Sequence, residues 1–402
     1  MKKVLIFALM AIMALSLCLA ACTQNAATPE TTTPEPEAPA AADTTEPEAP
    51  AAAVETKTIG FYADAADSYY QLLNDSLVGV AAMDPDVDFV VDFKVGQSTA
   101  DEQLKAVEDF ITAGYDAIAV IQNNPNTTSE CIAKCVDAGI PYFGMTHDFS
   151  SVPNAHDAAA SIVYDFVQGG VYAGEDALSR GISKVVMIEG VLGQGSAGAQ
   201  SLGFLKAYEN AGKSLGGVTA EELATQKTEA TLDGTEELEI VFWGSGNWFA
   251  EAAQKTMQDA ITSLGKDGFD GAYVQNNPMM EGAIVALEDA GLVTSDYWLG
   301  SMNGREISWN WVQNGQTTMD VNQPGAMEGA MLYQMLKAYF AGETFRNHLH
   351  PYMTSYNIDN IAELLPSLVP ATDIDKFLEG YAAGNFVTDI NDPKFRDIEG
   401  FN

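Results

Sequence analysis

Asp101-Glu102-Gln103-Leu104-Lys105-Ala106-Val107-Glu108-Asp109-Phe110-Ile111-Thr112-Ala113-Gly114-Tyr115-Asp116-Ala117-Ile118-Ala119-Val120-Ile121-Gln122 decides the fold. Leu104, Val107, Phe110 and Ile111 recur at helical spacing, which predicts an amphipathic helix over 100–113. Gly114 ends it, because a glycine just past the last helical residue takes the left-handed conformation without a steric penalty. Residues 117–122 then form a short apolar run that reads as a buried strand.

The same helix, glycine and strand recur along the chain. Strands are predicted at 58–62, 88–95, 117–122, 141–145, 184–189, 239–243, 271–275, 297–301 and 317–321, with helical patterns between them. Gly114, Gly139, Gly181, Gly212, Gly265, Gly291, Gly315 and Gly342 stand where those patterns stop. Strand–helix alternation of this kind winds parallel sheets through right-handed crossovers. A chain of 402 residues exceeds what one core serves, so the reading is an α/β protein with two Rossmann-like lobes.

Composition narrows the partners. The chain has 56 acidic and 19 basic residues, a formal charge of -37, and 47% hydrophobic residues. It can build cores, and its charge argues against nucleic acid and against electrostatic attraction to anionic lipid. Four cysteines, two of them within the first 22 residues, make no disulfide scaffold. Residues 1–21 carry Lys2 and Lys3 before an apolar run and read as a secretory signal. Leu19-Ala20-Ala21-Cys22 resembles a bacterial lipoprotein signal, which implies cleavage before Cys22, its lipidation, and an extracytoplasmic chain lipid-anchored to the bacterial cell membrane. Residues 22–56, with Pro29, Pro34, Pro36, Pro39, Pro47 and Pro50 among acidic residues, read as an extended tether.

In open parallel sheets, ligands bind beyond the carboxyl ends of the strands. The residues found there are Asp64 and Asp67, Gln97 and Ser98, Gln122 to Asn124, Thr146 to Asp148, Asn247 and Trp248, Gln275 to Asn277, Asn303, and Asn322 and Gln323. Side-chain amides dominate, with Tyr62, Tyr69, Tyr70, Trp243, Trp248, Trp309 and Trp311 as neighbouring aromatics. Amides both donate and accept, and flat rings cover apolar ring faces, so the pattern points to a small neutral polyol or sugar. Taken one at a time, each Asn after a strand reads more simply as a turn residue, but the whole series, above all Gln275-Asn276-Asn277, reads as a site.

Several segments resemble the type I periplasmic sugar-binding proteins, the ribose/galactose-binding class that feeds ABC transporters. They are 101–118, Asp137-Ala138-Gly139-Ile140-Pro141, Gly203-Phe204, the block from Gln275-Asn276-Asn277 to Leu287, and Asn322-Gln323-Pro324, in the family's order. The resemblance implies two lobes, 57–163 with 324–350 and 164–323 with 351–402, joined by a three-segment hinge near 163, Gln323 and His350. It implies ligand capture by hinge closure and, as partner, an ABC transporter permease, with the protein acting as a monomer. Carried over by position, the ligand contacts are Asp67, Tyr69, Tyr70, Ser98, Thr146, His147, Gln200, Trp248, Asn276, Asn303 and Gln323. Thr146 and His147 replace an Asp-Arg pair, Gln200 an arginine and Asn303 an aspartate. Charge-assisted bonds are about twice as strong as neutral ones, so this site grips a simple pyranose less tightly or serves another ligand. A nucleoside-binding lipoprotein and a ligand-presenting sensor component are the alternatives. Residues 357–361 resemble the family's end, and the rest beyond His350 is an extension.

No enzyme is predicted, and no cofactor or metal. Gly193-Gln194-Gly195-Ser196-Ala197-Gly198 fits a dinucleotide fingerprint, yet no acidic residue closes a second strand about 20 positions on. The loop reads instead as a cleft turn. Asp64, Asp67 and Asp148 could converge as a glycosidase pair must, but carboxylates that bind hydroxyls would look the same, and little fixed catalytic spacing stands in the sequence. His147, His156, His348 and His350 have no zinc spacing, and Cys131 and Cys135, one turn apart, read as small buried thiols rather than a strained disulfide.

Overall fold

The computed structural model describes residues 54–122, 125–227 and 234–401. The signal, Cys22 and nearly all of the tether, with Asn123 and Asn124, lie outside the described residues. Among the described residues no helix is long and apolar enough to cross a membrane.

The first lobe begins β1 (Thr56–Ala63), α1 (Ser68–Met83), β2 (Asp88–Val95), α2 (Ala100–Ala113), β3 (Ala117–Ile121), α3 (Pro125–Ala138), β4 (Tyr142–Met145) and β5 (Ala160–Ile162). The second follows with α4 (Phe166–Ser179), β6 (Lys184–Glu189), α5 (Gly195–Asn210), α6 (Ala220–Gln226), β7 (Glu239–Ser245), α7 (Ala250–Leu264), β8 (Gly271–Val274), α8 (Asn277–Asp289), β9 (Trp298–Gly300), α9 (Glu306–Gln313) and β10 (Met319–Asn322). The remainder is α10 (Gly325–Phe340), β11 (His348–His350), β12 (Thr354–Asn357), α11 (Ile361–Leu364), α12 (Ile374–Ala382) and β13 (Arg396–Asp397).

The helix read first forms as expected. Thr99 caps α2 by accepting the N–H of Glu102 at 3.3 Å, Asp101 and Glu102 occupy its positive N-terminal turn, and Gly114 closes it at φ 73°. Val107 and Phe110 are fully buried against β3, all of whose residues are buried. All eight glycines expected to stop helices have positive φ, between 69° and 74°. Every one of the nine predicted strands is present.

Two sheets result. The first runs β13-β11-β5-β4-β3-β1-β2, the second β12-β10-β9-β8-β6-β7. All pairings are parallel except β13 on β11 and β12 on β10. Each sheet carries helices on both faces, with one apolar cluster per face. This is the two-lobed, doubly wound α/β architecture expected. In the second lobe α4 and α5 touch backbone to backbone. A Cβ on Gly170 would lie 2.1 Å from the carbonyl oxygen of Gln200, and one on Gly203 would lie 1.9 Å from that of Val167. Only glycine permits this approach.

The chain crosses between lobes at 163–165, 323–324 and 351–353, and then a fourth time over 369–374, where the Val369 side chain already packs in the first lobe while the backbone to Thr372 is still held by the second. A fourth connecting segment thus joins the three expected, and 351–402 divides: β12 and Ile361 lie in the second lobe as expected, whereas α12 and β13 lie in the first. Leu368 still packs with Tyr356 and Ile361 of the second lobe, but Val369, Phe377, Ile390 and Phe395 belong to the core of the first. The physical reason is twofold: α12 buries Phe377 against α1, and β13 pairs with the open backbone edge of β11.

Candidate ligand-binding site

The carboxyl ends of both sheets face one cleft, a cavity of about 580 Å³. Loops that leave those ends are locally strained. Six described non-glycine residues have positive φ, and five follow strands: Ser98 (60°), Thr146 (66°), Asn247 (49°), Trp248 (66°) and Asn303 (111°), of which Thr146, Trp248 and Asn303 line the cavity. For a residue as bulky as tryptophan this is a genuine outlier, and such strain concentrates where side chains must be aimed.

On the first lobe, Asp67 caps α1 by accepting the N–H of Tyr69 at 2.7 Å, which fixes Tyr69 and Tyr70 on the helix's first turn. Tyr70 Oη and His147 Nε2 are 3.2 Å apart. Burial pushes His147 down to about 4, so the ring is neutral at pH 7. Gln122 pins the turn beneath it, donating to the His147 carbonyl and accepting the Met145 N–H at 3.3 Å.

Glu328, on the first turn of α10, lies fully buried under this wall. It accepts from Tyr69 Oη at 2.5 Å and Thr146 Oγ1 at 2.8 Å. Tyr69 Oη in turn accepts from Gln323 Nε2 at 2.7 Å. A chain of hydrogen bonds thus runs from the hinge glutamine to the pocket wall. Burial pushes the Glu328 carboxyl up to about 7, against the opposing pull of those donors.

On the second lobe, Trp248 lies over Gly190, where a Cβ would meet its ring at 2.2 Å, and its Nε1 donates to Gln194 Oε1 at 2.6 Å. Asn276 caps α8 through the N–H of Met279 at 2.8 Å and donates to the Trp248 carbonyl at 3.2 Å, so it positions that ring. Gln200 accepts from Tyr273 Oη at 3.1 Å. Gln275 is spent on structure, accepting the Gly190 N–H at 2.9 Å and donating to Ala197 and Ser201. Asn303 Nδ2 reaches Gln323 Oε1 at 3.4 Å.

The structure brings Asp67, Tyr69, Tyr70, Thr146, His147, Gln200, Trp248, Asn276, Asn303 and Gln323 onto this one cavity. Ser98 is not among its walls: its N–H and hydroxyl both donate to the Asp64 carbonyl, at 2.5 Å and 3.3 Å, and build the turn after β2. Asp148 forms an exposed turn with Ser150. Trp311 packs in the second-lobe core and Trp309 donates to Gly304, so neither faces ligand. The glycine-rich loop at 193–198 opens α5 and lends Gln194 and Ser196 to the cleft. Sequence reasoning missed Phe166, Phe249, Arg305, Thr372 and Ile374 on the cavity and Glu328 beneath it. Arg305 stands two residues past Asn303 and was within reach of the strand-end rule, whereas Glu328 reads as an ordinary acidic residue at a helix start.

No described cluster of His, Cys, Asp or Glu is arranged to hold a metal. The walls offer neutral donors and acceptors, aromatic faces and few charges, a chemistry suited to holding hydroxyls rather than to bond cleavage.

Comparison with known proteins agrees with this geometry. Residues 59–344 match the family model described as periplasmic binding protein domain. The chain is 24% identical over 280 residues to a xylitol-binding protein of Mycolicibacterium smegmatis, which covers 69% of this chain and 71% of the relative. It is 23% identical over 240 residues to a galactofuranose-binding protein of Escherichia coli, 58% of this chain and 67% of that one. An ABC transporter solute-binding protein from Bacillus halodurans with bound myo-inositol shares the fold, with TM-score 0.64, 21% identity, and 78% and 98% of the two chains covered. The chain belongs to the periplasmic binding protein family, in its type I architecture, and that family places it outside the cytoplasm. The relatives are binding proteins, not enzymes.

Proposed function

We propose that this protein is a solute-binding lipoprotein that captures a small neutral polyol, most simply a sugar, and delivers it to an ABC transporter permease. The observation that carries the reading is the cleft itself: neutral amides, hydroxyls and a tryptophan face from two lobes across about 580 Å³. The xylitol, galactofuranose and myo-inositol bound by similar proteins are all polyhydroxylated and uncharged. Ligand touches Tyr70 and His147 on one lobe and Gln200 and Trp248 on the other only when the cleft is shut, so its binding free energy favours closure. The closed form is what the permease recognises, and no bond in the ligand changes.

Cys22, once lipidated, would hold the protein as a monomer on the outer face of the cell membrane, and residues 23–56 would give it reach. Replacement of Cys22 by Ser should release the protein from membranes and abolish palmitate labelling.

A thermal-shift screen of the full chain against pentoses, hexoses, polyols and nucleosides tests the ligand class. A hundredfold excess over Kd stabilises by about 2.7 kcal/mol. A shift with a sugar or polyol that disappears in Trp248→Ala supports the reading. A shift with nucleosides alone replaces the ligand class, and no shift with any of them overturns it.

A further inference from the structure

The cavity is larger than one sugar ring requires. About 580 Å³ lies in the middle of the ~300–1,000 Å³ range of sites that take drug-sized ligands, beyond the need of a single ring of about a dozen heavy atoms. Burial divides the space. Gln200 and Gln323, at 2% and 3% exposed, form a dry inner floor, while Phe249 at the outer lip is 63% exposed.

Three observations set the lip apart. Its strap, which carries Thr372 and Ile374, lies beyond residue 344, where the family match ends. Both lobes hold that strap. Asn322 brackets Val369, accepting its N–H and donating to its carbonyl, each at 2.9 Å. Glu306 accepts the N–H of Ala371 at 3.2 Å and of Thr372 at 3.3 Å, along with the Thr372 hydroxyl. On its far side the strap runs into α12, which packs on α1 of the first lobe.

The second observation is Arg305. The chain's other arginines each grip carboxylates: Arg180 holds Asp176 and Asp359, Arg346 holds Asp397, and Arg396 holds Asp165. Arg305 lines the cavity, and among the described residues its guanidinium makes no ion pair, in a chain of formal charge -37. Its backbone is fixed by donation of its N–H to Asn277 Oδ1 at 2.8 Å. An uncommitted planar fork carried on a fixed backbone at the mouth of a cleft is a donor set for vicinal hydroxyls. The third observation is Phe249, an exposed ring next in sequence to Trp248 that offers a second apolar face.

We propose that this lip is an outer subsite for a second sugar unit, so that the ligand is a neutral glycoside of disaccharide size. The inner ring occupies the amide floor, and the outer ring lies against Phe249 and Ile374 with its hydroxyls on Arg305 and Thr372. The proposal rests on the polyol reading of the same cleft.

Calorimetry on the full chain tests it, with galactose, arabinose and xylose measured against galactobiose, arabinobiose and xylobiose. At least one disaccharide should bind roughly tenfold more tightly than its own monosaccharide. Arg305→Gln and Ile374→Ala, two independent changes, should each lower that disaccharide-to-monosaccharide affinity ratio severalfold. Monosaccharide binding with no gain for the disaccharide overturns the subsite and leaves the polyol reading intact. A gain that neither variant diminishes overturns the assignment of the lip. Binding by no sugar of either size overturns the subsite, and the polyol reading falls with it only where the wider screen with polyols is also blank.

Discussion

Replacing Glu328 by Gln should make the protein relatively more stable as pH rises. The carboxyl is fully buried with only neutral donors, Tyr69 and Thr146, hydrogen-bonded to it, and burial raises it from the ordinary 4.5 to about 7. A carboxyl raised in the folded state holds its proton there after the unfolded chain has released it. Its contribution to stability is therefore complete below pH 4.5 and is lost as pH climbs through about 7. The interval of about 2.5, at about 1.36 kcal/mol per pH unit, amounts to about 3 kcal/mol. An unfolding entropy near 2.1 cal/mol/K per residue over about 350 residues gives about 0.7 kcal/mol per kelvin, so the effect is about 4 °C in Tm. Gln has nearly the same shape and keeps an acceptor for Tyr69, and any packing cost it brings is independent of pH. Other titrating groups, such as buried Asp320 at about 6, are common to both proteins and cancel in the difference. Melting curves by circular dichroism between pH 4 and pH 8 should show Tm of Glu328→Gln minus Tm of the natural chain rising by about 4 °C. A flat difference would refute the reasoning, and a falling one would mean that the site holds the carboxylate ionised.

Gly190→Ala should displace the Trp248 ring, since the new Cβ would lie 2.2 Å from it, and weaken sugar binding by roughly tenfold with the fold intact. Calorimetry with the sugar found in the screen checks this, and unchanged affinity would remove Trp248 from the site. Cys131 and Cys135 are free and buried, with burial pushing their thiols up to about 11 and about 12. Neither should react with a thiol reagent at pH 8 until the protein is unfolded in denaturant. Ending the chain after Thr372 would strip Phe377, Ile390, Phe395, Ile398 and Phe401 from the first-lobe core, all of them buried. At about 1.5–3 kcal/mol each this is on the order of 10 kcal/mol, comparable with the whole stability of a domain. Such a chain should fail to give a soluble product on expression, and a cooperative melt from it would contradict the packing described.

Local signals were legible and tertiary ones were not. The nine predicted strands and the eight glycine stops each announce themselves within a few residues, through an apolar run or a left-handed cap. β5, β11, β12 and β13 do not follow a helical pattern in the repeating strand–helix order, and their pairing is set by the sheets already formed. The cavity residues could be found because a parallel sheet sends all its carboxyl ends to one side, which turns strand order into a list. Ser98 shows where that rule overreaches, since a residue after a strand is as readily used to fold its own turn. Glu328 shows its converse. It reaches the site from a helix whose first turn passes under the pocket, and nothing in the neighbouring sequence distinguishes it from an ordinary acidic residue near a helix start.

The fourth crossing bears on the order in which the molecule can be assembled as it is made. Residues 166–322 contain five adjacent strands of the second sheet in one continuous stretch, β6 to β10, so that lobe can condense as soon as they have emerged from the ribosome. The first lobe emerges earlier and is finished later. Its β5 edge stays bare until β11 arrives, and β11 in turn waits for β13. Phe401 then seals the corner, stacking on His348 at 4.0 Å and meeting Phe149 at 5.0 Å. A nascent chain therefore carries an open sheet edge throughout the synthesis of its partner lobe, a template for pairing with other chains. Residues 396–401 close it, so the first lobe is completed by a pairing more than 200 residues downstream of the strands it protects.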